Sequence, residues 1–287
     1  MYERFFGFNL RPFALNPDPA FLFPSRQHAM ALTLLEYGIE SQAPFGLLTG
    51  EVGSGKTTLL RRVIRDLGQQ VAVGFISNSH PGFRSVHRWV ASALGIVPAD
   101  DSDVALYEAL VDSFIREYGR GRRTLLIVDE AQNLGVDVLE ELRLLSNVNS
   151  EQDVVLQVLL VGQPELRATL RRPELRQLAQ RMSVDFHLRP LERADTARYI
   201  HHRIAAVGGP PGVFGPAACD LVHDSTDGIP RLINQLCDVA LVYAYGSNQR
   251  TVDTETLELV LRDRASAEAL PVLGPRERLG APAQLNA

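Results

Sequence analysis

The residues with the clearest chemistry occupy positions 50–57, which spell Gly-Glu-Val-Gly-Ser-Gly-Lys-Thr and match the pattern G-x-x-x-x-G-K-[ST] in full. Glycines permit the backbone angles that turn several N–H groups inward onto an anion. Lys56 supplies an ammonium group for the β and γ phosphates, and the Thr57 hydroxyl is a ligand for Mg²⁺. The segment therefore predicts a site for ATP with Mg²⁺.

The flanks of this motif favour the same interpretation. A short apolar strand is predicted at 45–49 and a helix at 56–67, whose N-terminal dipole would face the phosphates. The alternative, an ordinary glycine-rich turn between a strand and a helix, fits this context poorly. The predicted nucleotide-binding residues are Gly50, Glu51, Val52, Gly53, Ser54, Gly55, Lys56, Thr57 and Thr58, joined by Asp129 further along the chain.

A second candidate site follows the apolar segment 124–128, which ends in Asp129 and Glu130. The carboxyl ends of parallel strands meet at the crevice where ligands bind. We therefore expect Asp129 to hold Mg²⁺ together with Thr57, and Glu130 to polarise the attacking water. An exposed pair of loop carboxylates is the alternative for such a common pattern. The position of the pair, a strand and several helices after Lys56, favours the site.

The remaining pattern indicates the elements that must position these groups. Apolar segments at 45–49, 71–76, 124–128, 154–161 and 184–188 predict five buried strands, and helical periodicity lies between them. This alternation predicts a three-layer α/β/α fold with a five-stranded parallel sheet. After Pro190 four helical segments, at 193–207, 216–225, 230–245 and 253–264, follow one another without a strand. They predict a small all-helical lid domain.

Four regions result from this pattern. Residues 1–44 form an N-terminal linker and helix, with Ser25 as the N-cap of a helix that runs to about Glu40. Residues 45–190 form the ATPase core, and 191–265 form the helical lid domain. Residues 266–287 are rich in Ala, Pro, Gly and charge, which predicts a disordered tail.

Composition limits the function classes. The net charge of -5 excludes a cationic field that would wrap or package DNA, although local arginine clusters at 61–65 and 120–123 permit a basic patch. Cys219 and Cys237 have no paired spacing and predict buried, reduced thiols. The first eleven residues do not form a signal peptide, and no stretch approaches the ~20 apolar residues of a membrane helix. We therefore expect a cytoplasmic protein without a transmembrane segment of its own.

Longer runs around the motifs resemble the ATPase domain of the ExeA/GspA group. These are secretion-associated AAA+ ATPases, related in fold to the transposition regulators TniB, TnsC and MuB. The resemblance covers roughly residues 1–263. The runs that carry it lie at 5–8, 12–13, 129–134, 139–147, 162–166, 175–181 and 228–234.

The resemblance implies a P-loop AAA+ fold, ATP and Mg²⁺ as cofactors, and a homo-oligomer in the form of a ring or filament. It also implies an integral membrane partner in secretion, and hence a peripheral position at the inner membrane. Members of the group often continue into a membrane helix and a peptidoglycan-binding region. The 287 residues show a pattern for neither, which puts direct contact with the cell wall in doubt.

Three polar residues are candidate sensors. Gln163 follows the strand expected beside the phosphate-binding strand, where its amide could bond the γ-phosphate or the water; a turn residue that caps a helix is the alternative. Arg231 follows Gly-Ile-Pro at a helix start, and the resemblance implies a second sensor there. Asn78, just past the second strand, is a candidate to hold Glu130 away from the water, or an ordinary turn residue.

Arginines crowd segment 167–181, which in AAA+ proteins faces the nucleotide of the adjacent subunit. An arginine inserted in trans stabilises charge in the transition state. Arg181 is the first candidate and Arg176 the second. The others, Arg167, Arg171 and Arg172, are interpreted as solvated helix charges or as part of a partner-binding face.

Near the N-terminus, Phe13, Leu15 and Phe21 could wall the adenine site or pack in a core. Three functions stay open at this point. The first is an energy-coupling ATPase of secretion or envelope assembly, and the second is a DNA-dependent ATPase that regulates transposition. The third is a nucleotide switch with negligible turnover, which the presence of Glu130 argues against.

Overall fold

The structure, a computed structural model, describes residues 1–15, 21, 23–77, 85–98, 100, 102–150 and 152–266. In chain order its helices and strands are α1 (Tyr2–Phe6), α2 (Arg26–Glu40), β1 (Phe45–Gly50), α3 (Lys56–Asp66), β2 (Val71–Ile76), α4 (Val86–Leu94), α5 (Asp103–Gly119), β3 (Arg123–Val128), α6 (Val136–Leu145), β4 (Leu156–Gly162), α7 (Pro164–Leu170), α8 (Arg176–Gln180), β5 (Met182–Leu188), α9 (Arg193–Ala206), α10 (Pro216–Thr226), α11 (Pro230–Gly246) and α12 (Thr254–Ser266).

The chain divides into two compact units. One, the sheet unit, comprises residues 17–189, and the other, the helical unit, comprises residues 1–16 and those from Pro190 onward. The single N-terminal region predicted for residues 1–44 is therefore wrong. Its first sixteen residues pack in the helical unit, whereas α2 packs in the sheet unit. The predicted tail, apart from Ser266 at the end of α12, lies outside the described residues.

The sheet unit is built on strands in the order β2-β3-β4-β1-β5, and every pairing among the described residues is parallel. The predicted α/β fold with a five-stranded parallel sheet is confirmed. Strand β1 lies between β4 and β5, so the segment that follows β1 emerges near the middle of the sheet's carboxyl edge. This is the edge at which parallel sheets bind ligands.

Side chains alternate between the two faces of each strand and form a core on each side, as a period of two requires. On β3, Leu126 and Val128 pack in one cluster with α4, α5 and α6. Their neighbours Leu125 and Ile127 pack in the other cluster with α2 and α3. The sheet is thus covered on both faces, which explains its nearly continuous apolar strands.

One feature of the sheet unit differs from expectation. Strand β2 was expected to be buried, but it is the edge strand and most of its residues are half-buried. Gln163 is the N-cap residue of helix α7, as in the alternative interpretation of a turn residue that caps a helix, and α7 begins directly at Pro164, whose missing N–H is tolerated at a first helical position. Helices α1 and α8, each of five residues, are too short to show a periodicity.

The helical unit holds the N-terminal segment through Arg203. This arginine of α9 is buried, and it donates to the carbonyl oxygens of Pro12 at 2.5 Å and Ala14 at 3.0 Å. Phe13 between them is fully buried and packs edge-on against Phe214, with ring centroids 5.9 Å apart. Since unpaired backbone carbonyls are costly in an interior, the arginine ties this segment to the unit's core.

The two cysteines have the predicted burial and form no disulfide. Cys219 and Cys237 are both free and buried, in α10 and α11. Burial raises the pKa of the Cys219 thiol to about 11 and also raises that of Cys237. Both thiols therefore remain protonated at neutral pH, which suits a packing role.

Candidate nucleotide site

The loop between β1 and α3 takes its shape from glycines. Gly53 and Gly55 have φ angles of 80° and 101°, in a region that residues with a Cβ seldom adopt. A Cβ on Gly50 would lie 2.6 Å from the Leu188 carbonyl oxygen and 2.8 Å from the Ser54 hydroxyl oxygen, so a side chain is excluded there as well. The loop we call the phosphate loop, residues 50–57, is therefore formed by backbone packed closely against β5.

The Lys56 side chain turns back into this loop. Its ammonium donates to the carbonyl oxygens of Gly50 at 2.8 Å and Glu51 at 3.0 Å, and the residue is buried. Burial lowers the pKa of Lys56, while the carboxylates of Glu130 and Asp129 oppose that change. A buried cation beside glycine backbone and a helix N-terminus is the donor set that binds phosphate oxygens.

The predicted metal ligands lie together. The Thr57 hydroxyl at the start of α3 donates to Asp129 Oδ2 over 3.1 Å, although Asp129 lies 72 residues further along the chain, at the end of β3. The N–H of Asp129 bonds to the Ile76 carbonyl at 2.8 Å, which continues the β3–β2 ladder past Val128 and holds the aspartate at the sheet edge. A hydroxyl and a carboxylate at this edge form an oxygen pair of the kind that Mg²⁺ prefers.

Asp129 is electrostatically poised for a cation. Burial raises the pKa of its carboxyl, whereas hydrogen bonds from the Glu130 N–H and the Thr57 hydroxyl work in the opposite direction. The residue is nearly inaccessible to solvent. A divalent cation would favour the ionised form over the neutral one, so the residues present fit Mg²⁺ bound to a nucleotide.

Glu130 has an unusual backbone and a well-defined side chain. Its φ of 55° and ψ of 36° are left-handed, which costs a residue with a Cβ on the order of 1–2 kcal/mol. Its carboxylate oxygen Oε2 accepts from the Gln132 amide at 2.6 Å and, over a longer 3.4 Å, from the Gln163 amide. The side-chain oxygen Oε1 of Gln132 in turn accepts from the backbone N–H of Gln163 at 3.0 Å. Glu130 is thus connected to the end of β4 both directly, by Gln163, and through Gln132.

Sequence reasoning missed Gln132. It follows Glu130 by two residues, and only its side-chain contacts reveal that it bridges the ends of β3 and β4. A Cβ on Gly162 would lie 2.8 Å from Gln132 Oε1 and 3.2 Å from Gln132 N, so glycine is required for this close approach. Gln163 follows β4, the strand that was predicted to lie beside the phosphate-binding strand. The structure shows this arrangement, since β4 pairs with β1.

A polar network is centred on Thr49, the residue before the phosphate loop. Thr49, the residue before Gly50, is fully buried, and its hydroxyl oxygen accepts from Arg167 Nε at 2.7 Å. The same hydroxyl is 3.0 Å from Nδ1 of His187 on β5, and Arg167 also forms an ion pair with Asp185. The interpretation of Arg167 as a solvated charge or part of a partner-binding face is therefore wrong, since it links α7 to β1 and β5.

Arg181 and Arg176, the two candidates for action in trans, have different surroundings. Arg181 donates to the Ser146 hydroxyl at 2.9 Å and to the Asn147 side chain at 3.0 Å, both at the end of α6 in its own chain. Arg176 is exposed at the start of α8, and within the described residues its side chain forms no hydrogen bond or ion pair. Which of them reaches a neighbouring subunit stays a prediction.

Other predicted site residues have diverse positions. Arg231 is exposed in the first turn of α11 in the helical unit, and Asn78 lies outside the described residues. Phe13 belongs to the core of the helical unit, so of its two interpretations the packing role is supported. Leu15 is 52% exposed, and Phe21 is partly buried. The structure brings together Lys56, Thr57, Asp129, Glu130 and Gln163.

Fold and site together define the class of protein. The parallel sheet, the phosphate loop after β1 and the acidic pair after β3 are those of a P-loop ATPase, and a family model described as an AAA domain matches residues 39–170. Over that range the chain is similar to AAA domains, and its sheet order and phosphate loop are those of the P-loop fold.

Within that class, the chain is 38% identical over 253 residues to general secretion pathway protein A of Aeromonas hydrophila. The match covers 88% of this chain but only 46% of the relative, so the chain spans about half the length of the curated protein it matches. The resemblance to the ExeA/GspA group is confirmed.

Solved structures share the fold. The ORC2 protein of Aeropyrum pernix, in its ADPNP and ADP complexes, matches with a TM-score of 0.66 at 19% identity, covering 92% of this chain and 75% of the other. Cdc6p of Pyrobaculum aerophilum matches with a TM-score of 0.64 at 17% identity, covering 91% and 74%. In the described part of the chain, the helices are too short or too polar to cross a bilayer.

Proposed function

We propose that this protein binds ATP with Mg²⁺ at the phosphate loop and hydrolyses it to change the conformation or assembly of a partner. The observation that carries the proposal is the 3.1 Å hydrogen bond between Thr57 and Asp129, which unites the phosphate loop with the acidic end of β3. ATP hydrolysis requires these parts in one place, because its catalysis consists mainly of positioning and charge stabilisation.

Each residue has a role in the proposal. The loop amides and Lys56 bind the phosphates, and Thr57 and Asp129 hold Mg²⁺, which neutralises charge on the phosphate oxygens. Glu130 accepts a proton from the attacking water, and Gln163 bonds the γ-phosphate or that water. Arg181 or Arg176 completes the site of an adjacent subunit in a homo-oligomer, and Arg231, at the start of α11, is the second sensor.

The process we propose is secretion or cell-envelope assembly, at the cytoplasmic face of the inner membrane and with an integral membrane partner. The similarity to general secretion pathway protein A supports this choice. DNA-dependent activity is less favoured, because in each arginine cluster two arginines share a carboxylate that offsets part of their charge. Arg62 and Arg65 both pair with Asp66, at 2.5 Å and 3.4 Å, while Arg120 and Arg122 both pair with Glu117.

The experiment is an ATPase assay over a range of protein concentrations, with the protein alone, with duplex DNA and with inner-membrane vesicles. A rate per subunit that rises with concentration supports completion of the site in trans. Stimulation by membranes supports the secretion role, and stimulation by DNA that falls steeply with salt would replace it by the transposition role. No hydrolysis under any condition contradicts the enzymatic proposal.

Chemical labelling offers an independent test of the site. Of the 29 lysine and arginine residues, Lys56 is the only lysine, so an amine-reactive reagent can modify one side chain besides the N-terminus. We expect Mg-ATP to protect Lys56 from modification, measured by mass spectrometry of its peptide. Modification of the N-terminal amine, in the helical unit, serves as the internal control and should not change.

A further inference from the structure

A buried histidine outside the predicted site contacts the phosphate loop. His28 lies in the first turn of α2, and only 6% of it is exposed. Its Nε2 is 3.2 Å from the carbonyl oxygen of Ser54, in the middle of the loop. Its Nδ1 is 2.7 Å from the Ser25 hydroxyl, and that same hydroxyl accepts from the His28 backbone N–H at 3.3 Å.

These partners determine which ring nitrogen carries the proton. A carbonyl oxygen only accepts, so Nε2 of His28 must be the N–H that donates to Ser54. In the neutral ring Nδ1 is then an acceptor, and the Ser25 hydroxyl donates to it while accepting from the backbone. Ser25 thereby orients the ring with the same atom that caps α2. The chain of contacts runs from Ser25 through His28 to Ser54.

The ring also packs against the next residue of the loop. A Cβ on Gly55 would lie 3.1 Å from Nε2 of His28, closer than most carbon contacts. Gly55 also has a φ of 101°, which would strain a residue with a side chain. Position 55 therefore requires glycine both for its backbone angle and because the His28 ring occupies the space of a Cβ. The histidine therefore supports the loop at two consecutive residues, immediately before Lys56.

We propose that His28 is a positioning residue, which holds the Ser54–Gly55 peptide in the orientation that binds phosphate. In a trans peptide the C=O and the N–H point in opposite directions. A hydrogen bond that draws the Ser54 carbonyl toward α2 consequently directs the Gly55 N–H away from α2. That N–H is one of the amides assigned to the phosphates. This inference rests on the proposed function of the loop.

The test replaces the donor and then restores it. His28→Leu replaces the imidazole with an apolar side chain and so removes the hydrogen bond to Ser54. We expect the Kd for Mg-ATP to rise about tenfold, as for the loss of a buried hydrogen bond. His28→Gln places an amide N–H near the position of Nε2, and we expect it to restore most of the affinity. The measurements are isothermal titration calorimetry and steady-state kinetics. In His28→Leu, KM should rise while kcat stays within about twofold.

A matched control separates this role from general damage. His87→Leu makes the same chemical change on α4, away from the loop, and should leave the Kd unchanged. Urea unfolding of each variant gives the folded fraction, so binding is compared at conditions where all are folded. If His28→Leu binds Mg-ATP as tightly as the wild type, or if it lowers kcat while the affinity for Mg-ATP is unchanged, the inference is wrong.

A double-mutant cycle tests the chain of contacts. We expect Ser25→Ala to weaken Mg-ATP binding about threefold, and to cause no further loss when His28→Leu is already present. Additive losses would overturn the claim that Ser25 acts through His28. A wild-type protein that binds no nucleotide would instead refute the proposed function, so the two failures are distinguishable.

Discussion

The two halves of the nucleotide site are built in different ways. The phosphate-loop half takes its shape from backbone, through three glycines and a helix start that are consecutive in sequence. The carboxylate half takes its shape from side chains on separate strand ends, with Glu130 connected through Gln132 to Gln163. The first half is local in the chain, and the second exists only when β3 and β4 are paired.

This difference indicates a division of labour. In the phosphate loop, the affinity for phosphate comes mainly from backbone amides, whose orientation does not depend on a side-chain rotamer. The ammonium of Lys56 is the exception. A carboxylate that must accept a proton depends on the orientation of its side chain, which its hydrogen-bond partners set. We therefore expect changes in the loop half to affect nucleotide affinity, and changes in the carboxylate half to affect turnover.

The largest effect should follow removal of the loop cation. Lys56→Ala deletes the buried ammonium, and we expect Mg-ATP binding to fall below detection in calorimetry. Arg65→Ala, which removes an exposed cation from the same helix, is the control and should keep the affinity within about twofold of the wild type. Undiminished binding by Lys56→Ala would end the assignment of this loop.

The next largest effect should appear in turnover alone. Glu130→Gln keeps the shape of the side chain and removes the base, so kcat should fall about 10²–10³-fold while Mg-ATP binding persists. Glu108→Gln, the same change on the exposed face of α5, should have no effect on either quantity. Rapid hydrolysis by Glu130→Gln would show that another group activates the water.

A smaller effect would sharpen the comparison. Gln132→Ala frees the Glu130 carboxylate from its 2.6 Å partner, and we expect kcat to fall about five- to tenfold with KM within twofold. Gly162→Ala should act in the same direction, because its methyl group would displace Gln132. If Gln132→Ala changes KM and not kcat, the two halves of the site are not separate in function.

The smallest effect concerns stability and pH. Burial, followed by the charge of Arg167, lowers the pKa of His187 below its ordinary value of 6.5, so the unfolded chain binds the proton more readily. The native state should consequently lose stability as the pH falls below about 6.5, measured as the urea midpoint at several pH values. His187→Gln should reduce the dependence of the urea midpoint on pH. If that dependence is unchanged, other histidines cause it.

His202 and His223 are the relevant comparison. Burial lowers the pKa of each in the helical unit, in the same direction as His187. Variants of His202 and His223 should each reduce the pH dependence of the urea midpoint and leave the affinity for Mg-ATP at the wild-type value. A loss of affinity in His187→Gln alone would connect the network around Thr49 to the phosphate loop.

Much of the fold was predictable, because apolar strands buried on both faces are almost continuous in sequence. Strand β2 has the predicted bounds, and the other elements with predicted bounds differ by a few residues at their ends. The bounds of the short helices α7 and α8 were not predicted, since five to seven residues contain too little periodicity. The affiliation of residues 1–16 was also missed, because it depends on Arg203, which is distant in the chain.

The phosphate loop could be recognised without a structure, since its glycines, lysine and threonine lie within eight residues and the glycine backbone angles follow from residue type. The partners of that loop and of Glu130 became apparent only in the folded chain: His28 from a preceding helix, Asp129 from another strand and Gln132 between two strand ends. A hydrogen bond requires two groups within about 3 Å. Residues distant in the chain reach that separation only when the strands and helices carrying them are packed.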